Sequence, residues 1–404
     1  MTTARWTWWL VAVVLATVAA PARAQDGLIV NGRRVSASRN FGADLGAADS
    51  RWYGSSAGGG RYDVSSNRIT DRRTGAAFDI PYIVIAIDPV RPRVFVRDDG
   101  ASFTAIAEYR LDTRVMRTLT LVPPRGLPGF FGAVYAYSAD QLFLDVSDLA
   151  TVQAGGDHDI RVVDGTTGAV VRQFQRSGGG ILYWLATPDG TRVFSLITRG
   201  LANADLTLLD VRTGAETTVS APALSDLQWD EVNERLFVKG LNVDVYDARL
   251  SLVGSAPVPP TRTIAISPHT GRLYLAAGQF HGIYGGTLGL AVVDSTTYQS
   301  LGFVAAEARG AFLSLFTAPG APRALRATVT GHDVALQWQN VGAASHFVLD
   351  VGLVPGRTDL SVYLGPDSHT SFAGVPSGTY YLRLRGGNEF GGGRPSAEIM
   401  MVVP

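Results

Sequence analysis

Trp184-Leu185-Ala186-Thr187-Pro188-Asp189-Gly190-Thr191-Arg192-Val193-Phe194-Ser195 decides how the rest of the chain is read. An apolar run leads into a Pro-Asp-Gly turn, and a basic residue then opens a second run with an aromatic at its centre. Pro presets the backbone for a turn and Gly accepts the positive φ that many turns need, so the stretch predicts two antiparallel strands. The pattern returns as Ile85-Ala86-Ile87-Asp88-Pro89 followed by Arg93-Val94-Phe95-Val96, and as Ile264-Ala265-Ile266-Ser267-Pro268 followed by Arg272-Leu273-Tyr274-Leu275. Shorter copies stand at Leu142-Phe143-Leu144, Leu236-Phe237-Val238 and Trp52-Tyr53. With Tyr53, Phe95, Phe143, Phe194, Phe237 and Tyr274 taken as equivalent, the intervals are 42, 48, 51, 43 and 37 residues.

A second marker keeps a similar phase: alternating apolar residues, then Asp, then a turn. It is clearest in Val162-Val163-Asp164-Gly165-Thr166-Thr167-Gly168 and Leu208-Leu209-Asp210-Val211-Arg212-Thr213-Gly214. The aspartates at 63, 112, 164, 210, 247 and 294 are 49, 52, 46, 37 and 47 residues apart. Two independent markers with one period in the forties, and four short strands per unit, predict an all-β fold built as a β-propeller. One unit buries too little surface to stand alone, whereas a ring covers every flat face with a neighbour. Helical solenoids are excluded, because the runs alternate with period two and are rich in Val, Thr, Phe and Tyr. Six units fall between about residues 42 and 305. An N-terminal hairpin, Leu28-Ile29-Val30-Asn31-Gly32-Arg33-Arg34-Val35, and a late strand, Phe312-Leu313-Ser314-Leu315-Phe316, would together make a seventh. We expect seven blades, with six as the alternative if the late strand completes the first visible unit.

These units resemble the YVTN-type family of bacterial β-propeller repeats over roughly residues 42 to 305. An apolar strand, a Ser-Pro-Asp-Gly turn, a Tyr-Val-type strand and an Asp-x-x-Thr-Gly turn mark that family. Only Thr187-Pro188-Asp189-Gly190 comes close to the full turn. The resemblance implies a fold and carries no single reaction with it.

Residues 1–24 read as a signal peptide: Arg5, an apolar stretch from Trp8 to Ala20, and the small-x-small site Ala22-Arg23-Ala24, with cleavage expected after Ala24. The apolar run is shorter than the ~20 residues that span a bilayer, and no later segment replaces it. No membrane span is expected after cleavage, and the expected location is periplasmic, cell-surface or secreted. Cys is absent, which removes disulfides, thiolate metal sites and Cys nucleophiles from consideration. Lys+Arg 35 balances Asp+Glu 35, so the basic stripe of a nucleic-acid binder is not expected.

After Thr317 the texture changes. Residues 317–321 read as a stiff Pro-containing linker between a propeller at 25–316 and a second domain at 322–404. Val334, Leu336 and Trp338 alternate, as do Phe347, Leu349 and Val351, and then Tyr380, Leu382 and Leu384, which gives the inner faces of two sheets. Together with Pro322, Gly391 and Ser396 these residues resemble a fibronectin type III domain, a β-sandwich. That resemblance implies core roles for Trp338 and Tyr380, the latter as a corner tyrosine bonded to upstream backbone.

No catalytic or cofactor constellation stands out. The six histidines lack metal-site spacing, and His158 between Asp157 and Asp159 reads as a polar hairpin tip. Gly-x-Ser-x-Gly is missing. The recurring aspartates read as turn formers that accept backbone N–H bonds. No cofactor and no metal site is therefore expected. In propellers, connectors leading into the innermost strands gather around the channel mouth, where binding usually occurs. Here they carry Arg125, Arg176, Arg262 and Arg309, with Tyr82, Phe130, Phe131 and Tyr183 nearby, which could converge on an anionic or carbohydrate-like ligand. The sequence thus points to an exported, non-catalytic binding or scaffold protein with a protein or polysaccharide partner outside the cytoplasm. The alternatives are a propeller enzyme (hydrolase, lactonase or quinoprotein-like) and an accessory protein of carbohydrate recognition. Apolar inner strands such as Ile83 to Ile87 weigh against the enzyme.

Overall fold

The structure, a computed structural model, describes residues 27–30, 33–34, 62–65, 68–71, 76–97, 105–121, 132–146, 157–176, 181–198, 203–222, 226–240, 242–256, 261–277, 289–305, 313–316, 318–388 and 391–404. Among them every regular element is a β-strand, and no helix is long and apolar enough to cross a membrane. The expected signal peptide lies outside the described residues.

Five four-stranded antiparallel sheets follow one another along the chain: sheet I (83–121), sheet II (132–176), sheet III (181–222), sheet IV (226–256) and sheet V (261–305). In each the spatial order of strands is their order in sequence, so every neighbouring pair is joined as a local hairpin or short return. The first strands Ile83–Asp88, Gly132–Ala136, Ile181–Ala186, Asp226–Asp230 and Thr261–Ser267 lie side by side in succession. A three-stranded sheet covers 62–79 and precedes sheet I. A further three-stranded sheet joins the two expected remnants: Gly27–Val30 pairs antiparallel with Leu313–Phe316, Leu28 opposite Leu315, and carries Arg33–Arg34 on its other edge.

Each sheet has two apolar faces, and the next sheet covers one of them. The repeating aromatic sits in the second strand, wedged between neighbours: Phe95, Phe143, Phe194 and Phe237 are fully buried, and Tyr274 is nearly so. One core packs Ile85, Phe95 and Leu119 of sheet I against Ala133, Leu142 and Leu144 of sheet II. The next joins Phe143 and Val162 of sheet II to Val193 and Leu209 of sheet III, and a third joins Phe194 and Leu206 to Trp229 and Leu236 of sheet IV. Phe237 and Val245 continue the series against Ile264 and Leu273 of sheet V. Burial on both sides explains why the second strands read as unbroken apolar runs.

The recurring aspartates close the turns between third and fourth strands. Asp164 Oδ1 accepts the backbone N–H groups of Thr166 (3.1 Å) and Thr167 (2.6 Å), and Asp210 and Asp294 accept the corresponding bonds from Thr213 and Thr297. Gly168 ends its turn at φ 78°, where a Cβ would lie 1.8 Å from the carbonyl oxygen of Leu119, so both conformation and space require glycine there.

Beyond residue 318 two further sheets pack face to face. Arg323–Thr330, Asp333–Gln339 and His369–Phe372 form one; Leu360–Leu364, His346–Gly352, Gly378–Asn388, Gly391–Pro395 and Ile399–Val403 form the other. Their core is separate from the others and centres on Trp338 and Phe347, whose rings meet edge to face at 5.2 Å. Tyr380 is half-buried, and its hydroxyl donates to the Pro376 carbonyl at 2.8 Å.

If the buried aromatic is what locks one sheet to the next, Phe143→Ala should cost about 3–5 kcal/mol. Val170→Ala, on an exposed fourth-strand position, should change stability by no more than about 0.5 kcal/mol. Guanidinium denaturation of the two variants side by side checks this.

Candidate functional site

Antiparallel order gives the five sheets two distinct ends. At one, the turn end, the first strand turns into the second and the third into the fourth. At the other, the connector end, the chain enters each sheet, passes from second to third strand, and leaves.

The chain from Pro319 onward meets the turn end, touching the first turn of every one of the five sheets or the residues flanking it. Arg91 lies 3.9 Å from Asp367, Ser138 Oγ donates to the Asn340 carbonyl at 3.4 Å, and Gln339 Nε2 donates to Asp189 at 3.5 Å. Arg323 donates to the Glu231 carbonyl at 2.7 Å, and His269 approaches the Pro319 carbonyl at 3.2 Å. Loop 340–344 forms the centre of this contact. Asn340 braces it by bonding Ala344 in both directions. Gly342, at φ 74°, fits against Pro268, where a Cβ would come within 2.6 Å of the ring.

The loop's backbone then meets a buried carboxylate. Gly342 N–H donates to Glu231 Oε2 at 2.8 Å, and the Tyr137 hydroxyl sits 2.7–2.8 Å from both oxygens of that carboxylate. The same hydroxyl accepts the N–H groups of Gly342 and Ala343 at 3.2 Å. Burial pushes the Glu231 carboxyl up to about 7, Gly342 and Tyr137 pull against that, and the neighbouring Asp230 and Asp189 add to it. Burial likewise raises the Tyr137 hydroxyl well above its ordinary range.

A second buried network ties sheet I to sheet II at the same end. Arg93 donates to Asp88 (2.8 Å), to the Tyr135 hydroxyl (2.7 Å), to the Gly165 carbonyl (2.9 Å) and to Asp140. Burial alone would lower the Arg93 pKa, but Tyr135, Asp88 and Asp140 around it hold it above its ordinary value. With its charge neutralised on three sides, this guanidinium serves the seam between sheets.

The residues expected to line a binding face fall at the connector end as far as they can be followed. Tyr183 lies in the first strand of sheet III opposite Leu196, and Arg262 near the start of the first strand of sheet V. Arg125, Phe130, Phe131 and Arg309 lie outside the described residues, as do the side chains of Tyr183 and Arg262. Tyr82 is half-buried against the core of sheet I. Arg176 differs from the expectation of a connector residue. It ends the fourth strand of sheet II opposite His158, is only 2% exposed, and reaches into sheet III, donating to Ser195 Oγ with Glu216 at 3.3 Å from its Nε. Desolvation lowers its pKa despite the neighbouring Glu216 and Asp145. Its strand position belongs to the connector end, but its charge is committed to the interior.

His158 is also placed differently from expectation. It is fully buried, with Nδ1 2.7 Å from Asp145 Oδ2, because the first residue of a third strand is enclosed by its neighbours even when Asp157 and Asp159 flank it. Neither the Tyr137–Glu231–Gly342 contact nor the Arg93 network was read from the sequence, and the only local signal was an acidic or basic residue beside a first turn. Among the described residues no group of three or more His, Asp or Glu stands close enough to hold a metal ion.

No family model and no curated protein matches the sequence. Among solved structures the chain is similar to the extracellular domain of a protein assigned as a one component system, BT4673 from B. thetaiotaomicron. Identity is 13% over 85% of this chain, with a TM-score of 0.41. The chain spans about half (54%) of that protein, and a likeness this distant carries no argument about function.

Glu231 yields a pH prediction. Its pKa in the docked structure, about 7, lies above the ordinary 4.5, so the folded form holds the proton more tightly. Its contribution to stability is therefore complete below about pH 4.5 and is lost as the pH rises through 7. The wild type should lose about 2 kcal/mol or a little more between pH 5 and 8, and Glu231→Gln should lack that slope and be the more stable protein at pH 8. Denaturation midpoints across this range check the sign.

Proposed function

We propose that this chain is an exported, non-catalytic binding or scaffold protein. In this reading the successive sheets are the blades of a seven-bladed β-propeller, and residues 25–316 form its ring. Residues 317–321 are a linker and 322–404 a fibronectin type III-like sandwich. A signal peptide at 1–24 directs the protein to the periplasm, the cell surface or the medium. The connector end of the ring docks a protein or polysaccharide partner.

One observation carries the reading: the chain from Pro319 onward occupies the turn end through contacts with all five four-stranded sheets. A partner is therefore left the opposite end, where the strands bearing Tyr183 and Arg262 begin. Support for seven blades comes from the pairing of Gly27–Val30 with Leu313–Phe316, which brings the two ends of the series into one sheet. The two sandwich sheets, with Trp338 at their core and Tyr380 bonded four residues upstream, support the fibronectin type III-like assignment. Arg125, Phe130, Arg262 and Arg309 remain the proposed contact set on the docking face, with Tyr183 beside them; Arg176 supports that face from within.

Immobilised mature protein should capture a partner from an envelope extract. Tyr183→Ala combined with Arg262→Ala should reduce that capture at least about tenfold, and Arg212→Ala, at an exposed turn of sheet III, should leave it intact. Equal capture by both variants would overturn the assignment of the face. Turnover of a small substrate by the purified protein would overturn the non-catalytic reading.

A further inference from the structure

A cleft of about 610 Å³ opens between sheet I, the Thr166 turn of sheet II and the sandwich. Arg91, Arg93, Arg110 and Arg117 line it, with Glu108 as the one carboxylate among the described lining residues and Pro92, Val115 and Pro366 as apolar wall. Its volume lies in the range of small-molecule sites, about 300–1,000 Å³, which favour such boundaries between packed units. It lies at the turn end, away from the face proposed above for a macromolecular partner.

The arginines fall into two kinds. Arg93 is enclosed and saturated, as described above. Arg91, Arg110 and Arg117 have side chains 28%, 51% and 50% exposed, and each commits part of its guanidinium to a carboxylate of the protein. Arg117 places Nε and Nη2 on Glu108 Oε2 at 3.1 and 2.6 Å. Arg110 places the same two nitrogens on Asp112, both at 3.3 Å. Arg91 uses Nη1 for Asp88 and Tyr135. In Arg110 and Arg117 the Nη1 group has no partner among the described residues, and in Arg91 only Asp367, 3.9 Å from Nη2, faces the remainder. An arginine held by one edge is already oriented, so a ligand meeting its other edge does so with little loss of side-chain freedom.

We propose that this cleft binds a small ligand carrying two or more carboxylates on a carbon skeleton, gripped by the outward edges of Arg91, Arg110 and Arg117. Planar guanidinium forks match carboxylates in pairs. The wall of Pro92, Val115 and Pro366 covers the carbon skeleton, which sets such a ligand apart from a bare inorganic anion of the same charge. Both the ring side and the sandwich contribute, since Pro366 belongs to the sandwich. The apolar wall is therefore complete only while the C-terminal sheets are docked.

Citrate and pyrophosphate, titrated calorimetrically into the full mature protein, test this. Citrate should bind, more tightly than pyrophosphate, and its affinity should fall with added salt. Arg110→Gln combined with Arg117→Gln should weaken citrate about 30-fold, and Arg212→Gln should not. Thermal unfolding confirms that the variants are folded. Should the double variant fail to fold, Pro366→Asp tests the opposite wall and should weaken citrate comparably. A wild-type dissociation constant above about 10 mM, pyrophosphate equal to citrate, or citrate affinity unchanged in the folded variants would each overturn the proposal. Partner capture at the connector end stands or falls separately.

Discussion

A β-sheet with two apolar faces cannot exist alone in water, and most of this molecule follows from that constraint. None of the five four-stranded sheets has a polar face to turn outward around its second strand. Phe95, Phe143, Phe194 and Phe237 each press against the next sheet in the series, and Tyr274 is buried at the equivalent position of sheet V. Burying an aromatic of this size contributes about 2–3 kcal/mol, so the series is held by a repeated, modest term rather than by any single strong contact. Cooperation between neighbours is the natural result, as in other stacked repeats.

The sandwich is attached by different physics. Its own core, around Trp338 and Phe347, is self-contained, and its contact with the sheets is largely polar. Glu231 and Tyr137 receive the N–H groups of Gly342 and Ala343 at the centre of loop 340–344. Such a contact is directional. It fixes orientation well but stabilises weakly, because a carboxylate taken out of water recovers only part of its hydration through two or three hydrogen bonds. Exact shape at Gly342 and Gly320, where side chains would strike Pro268, supplies the rest of the fit.

Much of the sheet layout was legible in the residues. A repeated local grammar placed strand pairs at 83–97, 181–198 and 261–277, and the Asp-Thr-Gly turns after Val163 and Leu209 formed with the expected bonds. Alternation around Trp338 and Phe347 located the sandwich core for the same reason: period-two patterning is a local property. The polar seams were not legible. Arg93 meets Tyr135 and Asp140 more than forty residues away, and Gly342 meets Glu231 across more than a hundred. No spacing rule predicts such contacts, because they depend on which turn each sheet presents to its neighbour. His158 shows the limit most plainly: two flanking aspartates signalled solvent, whereas its position at the start of an enclosed strand placed it inside.

The pairing of Gly27–Val30 with Leu313–Phe316 has a temporal side. A chain made from its N-terminus emerges with its first strand long before the strand that will cover it. That pairing has the greatest sequence separation among the described ladders, so it carries the largest loop-closure cost of any of them. Until it forms, an unpaired strand edge stands open, the kind of edge that invites association with another chain. Residues 318–320 follow the covering strand almost directly, and Gly320 is tied to Val341. The segment that packs over the turn end is therefore made directly after the strand that covers this edge, which shortens the interval in which the nascent molecule is vulnerable.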